Sequence, residues 1–325
     1  MKVCDACSRR SISRVSAGTP LLVPSFSSRG FPDIAGIHEL MRDNLYETSL
    51  VSAYDLHHGC LSAPEIYATE ILLVDSGGYE ARAAADPAEP YIDLRPGRNW
   101  EVAHYAGVLD GLEPLSRLVV VSFDHAAHGP LGEQARGARS LFDRYPLFAG
   151  DFLCKPESAD APFIDVESVI ACTDELATFD VLGVTEKELG DSVLKRCRNL
   201  LRIRAALHRR GHDTPIHVFG CLDPVGILAY FLCGADIFDG LAWLRFAFAG
   251  GVPIYHVTRT VLNGQWAEPD RDVIAAHRAQ NLAWLRGQSR AMRRYARRHD
   301  LEELAGLAAW RPGLLDLVRT AGLKI

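Results

Sequence analysis

The chain of 325 residues is 48% apolar and carries a net charge of −6, with an isoelectric point near 6.1. That length suits one large domain or two ordinary ones, with a sizeable core. The acidic balance excludes a uniformly basic nucleic-acid glove, so any surface for a polyanion is a local patch.

The N-terminus, MKVCDACSRR, lacks the apolar core of a signal peptide, and no uncharged apolar run is long enough to span a bilayer. Several of the eight cysteines sit in apolar runs such as YFLCGAD, where Cys behaves as a small buried hydrophobe. These features read as a reduced, cytoplasmic protein with no membrane partner. Cys4 and Cys7 form a C-x-x-C pair, which is either half a zinc site or two terminal free thiols, since no second C-x-x-C follows.

Eight β-rich apolar runs then recur: LLVPSF (21–26), SLVSAYD (49–55), ILLVD (71–75), LVVVSFD (118–124), DFLCKP (151–156), DVLGVTE (180–186), IHVFGC (216–221) and DIFDG (236–240). Amphipathic stretches at 33–45, 101–112, 131–145 and 191–211 lie between them, the last with Val193, Leu194, Cys197, Leu200, Leu201 and Leu207 at helical spacing. Eight strand-and-helix units predict an α/β fold, a (β/α)8 TIM barrel over residues 1–245. An open doubly wound sheet is the alternative, weakened by the lack of G-x-G-x-x-G after the first strand. Residues 246–325 read as a C-terminal extension packed on the barrel. It has an insertion with a hairpin signal at Gly250-Gly251 or Asn263-Gly264, a long helix from about Asp270 to Arg298, and helices near 301–310 and 313–321.

Asp55, Asp75, Asp124, Glu186 and Asp239 all fall at the C-terminal ends of predicted strands, which in a barrel converge on one mouth. Converging acids repel one another, so their retention there suggests a job. A helix N-cap is the bland alternative for each. A mouth of acids suits metal binding through oxygen or cleavage of a glycosidic bond by a pair of carboxylates. His125 and His128 beside Asp124 keep the metal reading open.

At VDSGGYE, SFDH, VFG and ADIFDG the sequence resembles the tRNA-guanine transglycosylase family, in motif order and approximate spacing over roughly residues 19–245. The family's D-S-G-G-F/Y-Q stands here as Asp75-Ser76-Gly77-Gly78-Tyr79-Glu80, and its G-V-D-M-F-D-C as Gly234 to Gly240. The resemblance implies a (β/α)8 barrel that exchanges guanine in a nucleic acid for a free 7-deazaguanine base. It assigns Asp239 as nucleophile and Asp75 as general acid/base. It places Ser76, Gly78, Asp124, Glu186 and Gly220 around the base, with Tyr79 and Phe219 sandwiching the ring. LGVTE (182–186) is similar to the family's L-A-V-G-E, with Thr185 in place of a glycine.

The departures are specific. The family's structural zinc uses C-x-C-x-x-C and a later His. Here no cysteine follows Cys233 and Gln280 stands at the matching His position, so no zinc or other cofactor is expected. The family's C-V-M-P-T-R reads GLAWLR, keeping only Arg245 as a nucleic-acid contact, and its N-T-Y-H-L reads Ser52-Ala53-Tyr54-Asp55-Leu56. These changes fall on the grip for RNA rather than on the chemistry, so DNA and tRNA are both open as the polymer. A candidate grip is the stripe Arg286, Arg290, Arg293, Arg294 and Arg297, within a stretch holding six arginines against one acid, Asp300. A homodimer or partner protein is also open. A non-catalytic nucleic-acid-binding partner subunit and a two-carboxylate glycoside hydrolase are the alternatives to base exchange.

Overall fold

The computed structural model describes residues 1–81, 99–123, 129–158, 160–307 and 311–324. Eight parallel strands close into a barrel in chain order, the last pairing with the first. They are β1 (Leu21–Phe26), β2 (Thr48–Ser52), β3 (Ile71–Asp75), β4 (Arg117–Val121), β5 (Ala149–Cys154), β6 (Val181–Thr185), β7 (Ile216–Phe219) and β8 (Ile237–Gly240). Helices occupy the connections, and further helices follow β8, so the fold is a (β/α)8 barrel with a C-terminal helical extension.

Strand alternation sorts each run into two faces. Leu21, Val23, Ile71, Leu73, Val119, Val121, Leu153, Phe219 and Ile237 share the barrel interior. Leu22, Leu72, Val74, Leu118, Val120, Phe152, Leu182, Val218 and Phe238 belong to the larger core with the helices. The phase carries polar residues inward as well: Asp75 continues Ile71 and Leu73, Asp239 continues Ile237, and His217 precedes Phe219 by two. Ile12, Val15 and Ala17, from a small N-terminal β-ribbon, join the interior cluster beside Leu21 and Ile71 and so close the barrel at its N-terminal pole.

Two strands stop three residues earlier than their apolar runs suggest. The run 49–55 leaves the sheet at Ser52 and turns into the helix Ala53–His57. Asp55 therefore sits inside a helix, fully buried, where it accepts the Ser28 backbone N–H at 2.7 Å. The run 118–124 leaves the sheet at Val121. Asp124, with His125 and His128, lies outside the described residues.

The helix Pro224–Leu232 was not anticipated by amphipathic pattern, because it is apolar on every side and buried accordingly. Its start is nonetheless conventional. Asp223 caps it, accepting N–H bonds from Val225 at 3.1 Å and Gly226 at 3.0 Å, and Pro224 takes the first turn, where no N–H is needed. In the extension the hairpin forms at Gly250-Gly251, joining Ala247–Ala249 to Val252–Ile254. Asn263-Gly264 instead ends the helix His256–Leu262.

The long helix Asp270–Arg298 strides from one pole of the barrel to the other. About three turns in, Asn281 donates to Trp243 O at 2.8 Å and Phe246 O at 2.7 Å, just past β8, and accepts the Phe248 N–H. Near its end, Arg293 donates to Pro20 O at 3.1 Å, just before β1. The last helix, Arg311–Ala321, packs on Val193–Arg209 and Pro224–Leu232. Among the described residues no helix is long and apolar enough to cross a membrane.

A buried ionic knot ties the N-terminal pole. Asp236 pairs with Arg10 at 3.0 Å and with Arg204, and it also accepts the Ile216 N–H at 2.9 Å. Burial drags Arg204 down to about 10, against the pull of Asp236 in the other direction. Asp236→Asn leaves two buried guanidiniums short of a counter-charge. It should cost about 3–5 kcal/mol of unfolding free energy, read from urea denaturation. A loss under about 1 kcal/mol would mean that the knot is not what holds this pole.

Candidate active site

At the C-terminal ends of the strands a cavity of about 270 Å³ opens. Asp75, Tyr79, Glu186, Phe219, Gly220, Asp239 and Arg245 all line it, so seven of the residues singled out from sequence meet in one place. Ser76 and Gly78 do not reach its wall. Both are buried in the turn after β3, where Ser76 O accepts the Trp100 indole N–H at 2.8 Å. That turn depends on Gly77, whose φ of 89° disfavours a side chain and whose missing Cβ would lie 2.7 Å from Tyr54 Cβ.

Both oxygens of Asp239 are held. Its Oδ2 accepts Ser25 Oγ–H at 2.8 Å and its Oδ1 accepts the Gly220 N–H at 3.0 Å. Below it, His217 Nε2 stands 3.3 Å from Oδ1, off hydrogen-bond alignment, while Nδ1 contacts Asp151 Oδ2 at 2.7 Å. His217 and Asp151 are both wholly buried. Burial opposes charge on His217, yet the two flanking carboxylates outweigh it and lift His217 to about 9. Burial likewise pushes Asp151 upward, and His217 pulls it back. The imidazole also stacks under Phe219, with ring centroids 3.8 Å apart.

Gly183 makes this packing feasible. A Cβ there would lie 2.7 Å from the Phe219 ring and 2.8 Å from Asp151 Oδ1.

Opposite, Asp75 Oδ2 accepts the Gly77 N–H at 3.1 Å. Beside it Glu80 accepts hydrogen bonds from Ser27 and from Ser52, the latter at 2.7 Å. Burial, with Asp55 and Asp75 nearby, pushes Glu80 up to about 8. It is therefore a neutral carboxylic acid at pH 7, which limits the repulsion among three clustered carboxyls.

Tyr79 and Phe219 each carry a neighbour on the ring. Arg29 lies 4.8 Å over Tyr79, and His217 lies under Phe219. Arg245 donates to the Tyr79 hydroxyl at 2.9 Å, fixing that ring at the rim. On the far wall Glu186 is engaged by Arg196 at 2.9 Å and by the Tyr230 hydroxyl at 2.8 Å. Lys155, Thr185 and Lys187 also line that wall, and Lys155 pairs with Glu188 at 2.6 Å.

The arginine stripe points elsewhere. Arg286 donates to Asn44 O at 2.6 Å and covers the Tyr46 ring at 4.9 Å, and Arg293 holds Pro20 O and pairs with Glu47. Those partners precede β1 and β2, at the pole opposite the cavity. Arg290 and Arg297 are exposed, and Arg297 donates back to Arg293 O at 3.2 Å. Arg294 pairs with Glu303. Helical spacing suggests a single face for these residues, and it carries no information about which end of the barrel they reach.

Four residues central to the site were not singled out from sequence: Ser25, Glu80, Asp151 and His217. Strand phase is the signal that could have found His217 and Asp151, since each sits two residues before an inward-facing residue, Phe219 and Leu153. The N-terminal Cys7 is buried, and its thiol donates to Phe231 O at 3.4 Å. Among the described residues no group of three or more His, Cys, Asp or Glu side chains is arranged to hold a metal ion. No protein-family profile matches the chain, and no curated protein matches it significantly.

The raised Glu80 has a thermodynamic consequence. The folded chain holds that proton more tightly than the unfolded chain does. Stability should therefore fall as pH rises from the ordinary value of 4.5 towards about 8, and level off above. Glu80→Gln removes this loss. The variant should melt close to the wild type at pH 4 and at least about 2 °C higher at pH 8.5. Parallel Tm curves across that range would contradict the assignment.

Proposed function

We propose that the chain is a base-exchange transglycosylase, a pentosyltransferase that replaces guanine in tRNA or DNA with a 7-deazaguanine base. The observation that carries this reading is the meeting of Asp75 and Asp239 in one cavity, with Tyr79 and Phe219 on its walls. A flat base entering that cavity finds aromatic surface for stacking and a carboxylate for the ribose. The motif resemblance supplies the same two acids independently of the geometry.

The chemistry follows from those groups. The target nucleotide leaves its stack and enters the cavity. An oxygen of Asp239 forms a bond to C1′ as the bond from C1′ to guanine N9 breaks, and the electron pair passes into the base. Asp75 delivers the proton that neutralises departing guanine. The incoming base then loses its N9 proton to Asp75, and N9 attacks C1′ to expel Asp239. One glycosidic bond replaces another, so no external energy source is needed.

The cavity rim supplies a grip in place of the arginine stripe. Arg245 lines the cavity, and Arg29 lies against the Tyr79 ring. Arg245 stands where a phosphate flanking an inserted nucleotide would pass.

The test offers labelled guanine with tRNA and with duplex DNA in separate tubes. Label should enter one polymer. Asp239→Ala should abolish incorporation, and Asp75→Asn should slow it by about 10²–10⁴-fold, while polymer binding persists. Label in neither polymer, or full activity in Asp239→Ala, overturns the reading.

A further inference from the structure

The geometry points to His217, clamped by Asp151, as a charged positioning residue beneath Asp239 that governs how readily Asp239 is expelled from C1′. The inference rests on the base-exchange reading of Asp239 and goes beyond it by assigning a task to a buried pair which that reading does not use.

Three observations converge. First, the two oxygens of Asp239 are held unequally. Oδ1 faces both the Gly220 N–H and His217 Nε2, at 3.0 and 3.3 Å, whereas the Ser25 hydroxyl at 2.8 Å is the contact on Oδ2. This makes Oδ2 the attacking oxygen and Oδ1 the carbonyl oxygen of the resulting ester. Second, His217 is fully enclosed between carboxylates from two other strands, with Asp151 on Nδ1 and Asp239 on the Nε2 side. A wholly buried acid such as Asp151 is costly without a counter-charge, and His217 supplies it. Third, the imidazole ring is held by Phe219 stacked on its face and by Asp151 at Nδ1. Its charge cannot swing away as Asp239 changes state.

The consequence is asymmetric across the two half-reactions. While Asp239 is esterified it carries no charge, and the imidazolium keeps only Asp151 as a counter-ion. When the incoming base attacks C1′, the bond from C1′ to Oδ2 breaks and its electron pair returns to the carboxylate. Oδ1 then regains negative charge against the Gly220 N–H and the imidazolium, an arrangement that works as an oxyanion site does. The same cation stabilises the free carboxylate before attack, so it does not speed the first step. His217 therefore favours turnover of the covalent intermediate over its accumulation. At the end of the cycle the proton remains on the His217–Asp151 pair, and none is consumed.

The experiment uses the full chain and the polymer that accepts label. His217→Gln keeps a donor and loses the charge. Its kcat should fall about 10²-fold, and KM for the nucleic acid should fall with it, so that kcat/KM for the nucleic acid stays near that of wild type. A larger fraction of enzyme should survive denaturation linked to nucleic acid. A purely structural role for His217 would lower both half-reactions together and would not raise the linked fraction. Nitrogen chemical shifts of His217 in wild-type protein at pH 7 give a second reading that does not depend on any variant folding, and they should show both ring nitrogens protonated. A neutral imidazole, or a His217→Gln enzyme with normal kcat and no added linked fraction, overturns the proposal. An inert wild type would instead sink the base-exchange reading, while the nitrogen shifts still decide whether the buried charge exists.

Discussion

The pairing of β8 with β1 is the contact on which the site depends. It sets Asp239 against Val23 and Ile237 against Leu21, closing the sheet on itself. That closure lets Ser25 reach a carboxylate 214 residues away in the chain. It also turns the inward phase of every strand towards one axis, so the acids at strand ends meet. An open sheet made from the same eight runs would leave Asp239 on an edge, far from Ser25 and Asp75.

Closure creates an electrostatic problem, and the site resolves it in two ways. On one side, Glu80 is kept neutral by burial and by two acidic neighbours. On the other, Asp151 and Asp239 lift His217 to about 9 against the effect of burial. Neighbouring titratable groups are thus driven to opposite protonation states from those expected of free side chains at pH 7, a pattern typical of acid–base sites. Among the arginines, Arg245 lines the cavity, Arg29 is buried against the Tyr79 ring, and Arg286 and Arg293 serve the opposite pole.

The barrel was legible because each strand run is a short apolar stretch bounded by turn residues, and a parallel sheet covered on both faces demands that pattern. Asp75 and Asp239 were legible for the same reason, as charges placed where a run ends. Asp55 was not, because apolar content does not mark the residue at which a strand turns into a helix. Its run continued through Ala53 and Tyr54, which are buried in the helix instead. His217 and Asp151 were hidden because each looks like an isolated polar residue in a strand. Only the fold shows that residues 66 apart in sequence are joined by a hydrogen bond. The helix Pro224–Leu232 escaped notice because a helix buried on all sides has no polar face to produce a period.

Every step proposed for the cavity turns on a bond between Asp239 and the sugar. It is tested most directly by mixing wild-type protein with its nucleic-acid substrate, denaturing rapidly, digesting both polymers and mapping the linked peptide by mass spectrometry. A baseless pentose phosphate should be attached through the Asp239 carboxylate of the peptide that contains it. Attachment at Asp75 or Glu186, or an active enzyme that yields no linked peptide, would contradict it.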